Sequence, residues 1–490
     1  MPAGGGLEPP PVPDNQAHPA GWLHVPSLSS CDTICAIATP PGEGGIGILK
    51  ISGPEACSII SDLFRSRSTE HSLRPFRLHY GWIANPVTGQ CLDEVLVAYM
   101  AAPHSYTRED VIEINCHSGS AVLRLILELV LAAGARLAEP GEFTRRAFLN
   151  GRIDLSQAEA VIDIIRSQSD QGLFLANQQL LGGLRDQVES LLTTLTELHA
   201  HLEASIDFAD DLNDEVTLSG PVLADLIEIR MGEPVAEMLR QYKNGRIVRE
   251  GLTLVLVGRP NVGKSSLLNA LLVRDRAIVT AFPGTTRDVI EDSFLLAGVE
   301  VRILDTAGIR QQPDTIESLG IERTLQAVEQ ADLVLWLLDQ SQPLTPTDDQ
   351  VYQSIMDKRR VALLNKADLP PVTTVADIIA RYGDQAPILT LSALNPQDVK
   401  QLRRWLADEL LHKPLETARS GMIPNVRHHH ALQQAQAALG QAQHLLRQGG
   451  YPELVSVEFQ SARHALESIL GHANDESLLD QIFAQFCVGK

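Results

Sequence analysis

Eight residues, Gly258-Arg-Pro-Asn-Val-Gly-Lys-Ser265, carry the pattern G-x-x-x-x-G-K-[ST]. Its glycines let backbone N–H groups curl around phosphates, Lys264 reaches the β and γ oxygens, and the Ser265 hydroxyl can ligate Mg²⁺. Asn261, Val262, Gly263, Lys264, Ser265 and Ser266 are therefore expected around the phosphates. Downstream, Asp305-Thr306-Ala307-Gly308 brings a carboxylate beside Mg²⁺ and a glycine N–H toward the γ-phosphate. Asn365-Lys366-Ala367-Asp368 ends in an aspartate that can accept hydrogen bonds from the N1–H and exocyclic NH₂ of guanine, which adenine does not offer. Ser392-Ala393-Leu394 fits a final base-contacting loop. Thr280-Ala281-Phe282-Pro283-Gly284-Thr285-Thr286 stands where a first switch loop belongs, with Thr286 available to Mg²⁺. A phosphate-loop pattern alone can arise in a Gly-rich turn. Five such elements in one order imply binding and hydrolysis of GTP.

Two parts of that chemistry have no obvious owner. Ile309 follows Gly308, where Ras-type enzymes place the glutamine that orients water, and an aliphatic side chain cannot hold a nucleophile. The next carboxylates are Asp314 and Glu317; spacing alone leaves them equally a solvated acidic loop. No arginine finger is identifiable either. The Asn261 side-chain oxygen and the backbone carbonyls of Thr280–Thr286 could hold a monovalent cation against the phosphates. On its own, Asn261 reads as a turn residue.

The elements that must position these groups are legible as strands and helices. Leu252–Val257 is a fully apolar run suited to a buried parallel strand, feeding the phosphate loop and then a helix over Ser265–Leu272. Val301–Leu304 and Val361–Leu364 are strands leading into Asp305 and Asn365. From Leu252 to about Leu411, strand and helix alternate. Helical periodicity flanks this block. Ser156-Gln-Ala-Glu159 has the form of a capping box, and Leu173, Leu180, Leu184, Leu191, Leu195 and Leu202 recur at helical spacing. A second helical stretch runs from about His430 to Leu470. Helices on both sides of an α/β block imply an insertion, with the flanking helices pairing. Between Thr33 and Asn150 the pattern is α+β, with strands at Ile46–Ile51, Glu94–Tyr99 and Val111–Asn115 and a helix at Ala121–Ala133. The expected fold class is multidomain α/β plus α: a leader over 1–30, an N-terminal α+β domain over 31–150, a discontinuous helical domain over 151–250 and 416–490, and an inserted Ras-like GTPase domain over 251–415.

Composition narrows the partners. With 40 basic and 61 acidic residues the net charge is −21, which disfavours non-specific polyanion binding, so any RNA contact needs a local basic patch. Six cysteines are too few for a disulfide scaffold in so long a chain, and Cys31 and Cys35 read as small buried hydrophobes. No segment has the ~18 apolar residues needed to span a bilayer; Arg124 and Glu128 interrupt the most apolar stretch. Residues 1–30 hold seven prolines and no basic region followed by an apolar run, the pattern of a disordered leader and not of a signal peptide. A cytoplasmic protein without membrane association is expected. His428-His-His430 invites a metal reading, but successive imidazoles point around a helix, so a polar helix start is expected.

The order of parts resembles the tRNA-modification GTPase family MnmE (TrmE) from Asp32 to Lys490. The resemblance rests on Ala38-Thr-Pro-Pro-Gly-Glu-Gly-Gly-Ile-Gly47, Pro140-Gly-Glu-Phe-Thr-Arg-Arg-Ala-Phe-Leu-Asn150, Asp154-Leu-Ser-Gln-Ala-Glu-Ala160, Gly320-Ile-Glu-Arg323 and the terminal Phe486-Cys-Val-Gly-Lys490. It implies a cytoplasmic homodimer that hydrolyses GTP with Mg²⁺ and K⁺ and binds 5,10-methylene- or 5-formyl-tetrahydrofolate as one-carbon donor. It further implies an FAD-dependent partner, MnmG (GidA), in a heterotetrameric or larger complex that modifies C5 of the wobble uridine (position 34) of certain tRNAs. By matching motif positions, Asn261, Thr280, Phe282 and Thr285 would hold K⁺, and Glu317 would orient the water. Folate contacts would fall on Lys50, Glu113, Arg152 and Lys490. Cys487, a thiol near Lys490, is implied as a catalytic nucleophile or acid; the alternative is a buried cysteine packing the last helix. Lys50 stands where the family pattern has arginine, exchanging a bidentate contact for a point charge. The segment Gly471–Ser477 is shorter than the family's usual loop. A different class, a regulatory GTPase of ribosome assembly, would usually carry a basic RNA-binding module such as a KH fold with its GXXG loop. None follows residue 415.

Overall fold

The computed structural model describes residues 32–40, 42, 44–67, 72–167, 169–207, 219–272, 291–305, 327–383, 386–420, 424–472 and 476–490. The leader over 1–30 lies outside them. The chain divides into two compact units, Met1–Arg152 with Phe483–Lys490, and Ile153–Ile482.

The first unit is built on a seven-stranded sheet: β1 Ile34–Ile37, β2 Gly47–Ser52, β3 Phe64–Ser66, β4 Leu78–Ala84, β5 Cys91–Met100, β6 Val111–Cys116 and β7 Arg136–Leu137. The order is β3-β4-β5-β6-β2-β1-β7, antiparallel except between β1 and β7. Leu49 and Ile51 of β2 and Ile112 and Ile114 of β6 pack under the helices Ala56–Leu63 and Ser120–Ala132, with Ile60, Ile126 and Val130. Because side chains alternate along a strand, Lys50 and Glu113 point to the opposite face. The register sets them directly across from each other.

The second unit holds a six-stranded sheet, β8 Leu252–Val257, β9 Glu291–Leu296, β10 Val299–Asp305, β11 Leu333–Asp339, β12 Arg360–Asn365 and β13 Ile388–Thr390. Its order is β13-β12-β11-β8-β10-β9, parallel except for β9. β11 is buried along its whole length. Leu333, Leu335 and Leu337 enter a core with Leu402 and Leu406 of the helix Pro396–Ser420. Val334, Trp336 and Leu338 enter another with Ile355 and Ile378. A sheet covered on both faces requires the continuous apolar runs seen in the sequence.

Helices from either side of this sheet share one core. Leu184, Leu191, Leu195 and Leu202 of the helix Gly183–Asp207 pack with Leu432, Leu439, Phe459 and Leu466 of the helices Val426–Arg447 and Pro452–Leu470. Two local expectations are corrected. Leu173 lies in the first turn of its helix, Asp170–Leu180, and is exposed, while Leu175 and Ala176 of that helix are buried. The capping box is not Ser156–Glu159. Asp154 is the extended N-cap of the helix Leu155–Arg166 and exchanges bonds with Gln157, while Ser156 is already inside the first turn, donating to Asp154 Oδ1 at 2.6 Å.

Candidate functional site

The phosphate loop leaves the C-terminal end of β8, where the sheet order reverses between β10 and β11, the usual place for a ligand in an open parallel sheet. Gly258 has φ 153°, and a Cβ there would lie 2.5 Å from the Leu337 carbonyl oxygen. Gly263 has φ 102°, and its Cβ would meet Asn365 Nδ2 at 2.2 Å. Asn261, exposed, sits at φ 66°, a conformation asparagine tolerates better than most residues. Lys264 Nζ donates to the carbonyls of Gly258 and Arg259 at 2.7 and 2.8 Å. Ser265 and Ser266 are exposed in the first turn of the helix Lys264–Leu272. Unsatisfied N–H groups and the helix dipole make that end favourable to anions. Val262 is buried beneath the loop.

Two further loops converge on it. Asn365, at the end of β12 and 2% exposed, donates from Nδ2 to the Val262 carbonyl at 2.7 Å and accepts at Oδ1 from the Ala393 N–H at 2.9 Å. One amide thus joins the phosphate loop to the loop Ser392–Leu394. Asp368 accepts from Ser392 Oγ at 2.6 Å and is itself exposed, as are Ala367 and Leu394. Lys366, at φ 65°, places Nζ 2.6 Å from Asp339 Oδ2. Burial opposes ionisation of Asp339, but the hydrogen bonds from Lys366 and Ser341 and the Lys366 charge together outweigh it and hold the carboxyl below its ordinary range. Asp305 is described by its backbone, opposite Leu256 at the end of β10. Thr280, Ala281, Phe282, Pro283, Gly284, Thr285, Thr286, Thr306, Ala307, Gly308 and Glu317 lie outside the described residues. The Mg²⁺ set therefore has Ser265 described, an exposed hydroxyl of the right chemistry, and the K⁺ set has Asn261 alone.

A second polar centre lies in the first unit. Lys50 Nζ is 3.6 Å from Glu113 Oε1. Burial lowers the Lys50 pKa, Glu113 opposes that, and the Lys490 cation adds to it. The Tyr106 ring lies 6.0 Å from Lys50 Nζ and 4.7 Å from the Arg152 guanidinium, so it faces two cations. Its hydroxyl pairs with Thr144 Oγ1 at 2.9 Å, and its carbonyl accepts from Arg152 at 3.2 Å. Lys50, Glu113, Arg152 and Lys490 therefore share one neighbourhood. The C-terminus is seated there by backbone: Gly489 packs against Ile37 and Ala38, and the Cys487 carbonyl accepts from the Gly141 N–H at 3.4 Å. Cys487 is exposed, which removes the buried-packing alternative.

Sequence reasoning missed Tyr106, for which no motif signals a role, and the burial of His428, although the polar helix start expected at His428–His430 is present. That imidazole is fully buried in the first turn of the helix Val426–Arg447, in a capping box with Asn425. Its Nε2 lies 2.8 Å from Glu159 Oε2, and Arg427 bonds the same carboxylate at 2.9 and 3.0 Å. Arg427 also donates to the carbonyls of Ser468 and Ile469, closing the end of the helix Pro452–Leu470. Burial pushes His428 down to about 4, while the neighbouring His428 ring and Arg427 guanidinium together hold Glu159 well below its ordinary range against burial. Among the described residues no group of His, Cys, Asp or Glu is arranged to hold a metal ion, and no helix is long and apolar enough to cross a membrane.

Known proteins match along almost the whole chain. The family described as the MnmE helical domain matches residues 155–487, and that described as the GTP-binding protein TrmE N-terminus matches residues 33–152. The tRNA modification GTPase MnmE of Syntrophobacter fumaroxidans is 55% identical over 462 residues, covering 94% of this chain and 98% of that protein. The protein of the same name from Geobacillus kaustophilus is 43% identical over 465 residues, covering 94% and 100%. Among solved structures, Aquifex aeolicus Era bound to GDP and aluminium fluoride is 27% identical, covering 38% of this chain and 66% of that chain with a TM-score of 0.26.

Proposed function

This chain belongs to the MnmE family of tRNA modification GTPases, and from that premise we propose how its two polar centres divide the work. The phosphate loop and its neighbours bind and hydrolyse GTP. Ser265 and Thr286 hold Mg²⁺. Asn261, Thr280, Phe282 and Thr285 hold K⁺, a charge that stabilises the transferring phosphoryl group as an arginine would. Glu317 orients the water that Ile309 cannot. In the other unit, Glu113 faces the pterin of a tetrahydrofolate while Lys50, Arg152 and Lys490 take its carboxylates. The chain acts as a cytoplasmic homodimer with the FAD-dependent MnmG, delivering one carbon to C5 of the wobble uridine in tRNA.

The observation that carries the nucleotide half is Asn365, whose single amide bonds both the phosphate loop and the loop meant for the base. The folate half is supported by Lys50, which has Glu113 and Lys490 as charged neighbours and shares the Tyr106 ring with Arg152. Two measurements test the whole. Replacing K⁺ by Na⁺ is expected to depress GTP turnover, and equal rates would remove the Asn261 cation site. Nucleosides of tRNA from cells lacking the protein are expected to lose a C5 modification at the wobble uridine. Full modification in its absence would overturn the assignment.

A further inference from the structure

The start of the phosphate loop has a second anchor, from a residue outside every motif named above. Arg259 follows Gly258, and its guanidinium turns toward the helix Pro346–Ile355, where the Asp348 side chain is 1% exposed. Asp348 Oδ2 closes that helix's capping box, accepting from the Thr345 N–H at 2.9 Å and its Oγ1 at 2.8 Å. Asp348 Oδ1 faces Arg259 Nε at 3.7 Å, and both atoms are buried without a hydrogen bond. That separation is too long for a bond. Opposite charges left so cost free energy on both sides, and a small movement of either recovers it. The Arg259 carbonyl meanwhile accepts from Lys264 Nζ at 2.8 Å. One residue thus faces Asp348 through its side chain and accepts, through its peptide carbonyl, from the lysine meant for the phosphates.

We propose that Asp348 and Arg259 form a positioning pair for GTP. The pair fixes the Arg259 peptide, and with it the point from which Lys264 reaches the γ-phosphate, so it favours triphosphate over diphosphate. Arg259 does not itself touch the nucleotide. The proposal rests on reading residues 258–265 as the phosphate loop, and the loop's other neighbours leave room for it. Gly258 lies close against the Leu337 carbonyl, and Asn365 braces Val262.

The test is a double-mutant cycle on the full chain, titrated with a fluorescent non-hydrolysable GTP analogue and with GDP. Arg259→Gln and Asp348→Asn are each expected to weaken the triphosphate about tenfold and the diphosphate less. The double variant should be no worse than either single one, because both remove the same contact. Arg259→Lys, which keeps the charge, should recover part of the loss. Asn retains an oxygen for the cap; should Asp348→Asn still fail to fold, the contrast between Arg259→Gln and Arg259→Lys decides. Losses that add, equal losses for both nucleotides, or unchanged affinity overturn the pair alone. No binding of either nucleotide by the unaltered chain overturns the phosphate-loop reading and the pair with it.

Discussion

The phosphate loop and the Lys50–Glu113 centre are both suited to ligands that carry anionic groups, but they are made of different material. The first is backbone: its shape depends on Gly258, Asn261 and Gly263 at positive φ, and its donors are N–H groups and one helix end. The second is side chains, two held across a strand pair and two brought in from a helix-flanking turn and the chain end. A backbone site is intolerant of volume. A side-chain site tolerates volume but depends on charge, and so on pH.

Adding one methyl group should break the first and spare a control. Gly258→Ala puts a Cβ 2.5 Å from the Leu337 carbonyl, a backbone atom that cannot swing aside, at φ 153°. The expected cost is about 2–4 kcal/mol, with nucleotide affinity down at least ~100-fold and a lower melting temperature. Gly45→Ala in the other unit, with nothing within 4 Å of its Cβ, should change neither. Normal GTP binding by Gly258→Ala, read by equilibrium titration, would show that loop shape is not what selects phosphate.

The same difference in material decides what is legible in the sequence. Lys264, Asn365, Asp368 and Ser392 can be placed from the sequence because each acts within a few residues of a strand end, so spacing carries the geometry. The apolar runs of β8 and β11 announce a doubly covered sheet for the same reason. Tyr106 carries no such signal: its role comes from folding Arg152 and Lys50 onto one ring. The burial of His428 carries no signal for a related cause: its partner Glu159 is far away along the chain, and only the pairing of the two helical halves brings them together. The displaced capping box is a smaller error. Asp154 and Ser156 both suit an N-cap, and backbone conformation, not residue type, chooses between them.

Charge removal should test the second centre with a smaller effect. Glu113→Gln leaves Lys50 near Lys490 without its carboxylate. Tetrahydrofolate affinity should fall about tenfold by calorimetry, with little change in melting because the pair is part-exposed. The pH dependence has opposite signs for binding and folding. Lys50 titrates below the ordinary lysine value in the folded chain, chiefly through burial, so its cation is lost as pH rises through that lowered value and anion binding weakens. In the window between the folded and unfolded values the unfolded chain holds more protons, so stability rises with pH there. Affinity and stability moving together across that window would assign the titration elsewhere.

The finest distinction is between two cations at one position. Lys50→Arg replaces a compact ammonium by a fork that stays protonated throughout. Folate affinity at neutral pH should rise only a few-fold, about two to five, through a bidentate carboxylate contact. The alkaline decline should vanish, because nothing at that position titrates. The longer side chain must still clear Tyr106, whose ring lies 6.0 Å from Lys50 Nζ, and a guanidinium can stack there as Arg152 already does at 4.7 Å. If the alkaline decline persists in Lys50→Arg, Lys50 is not the titrating group and the pH dependence of the centre does not come from the strand pair.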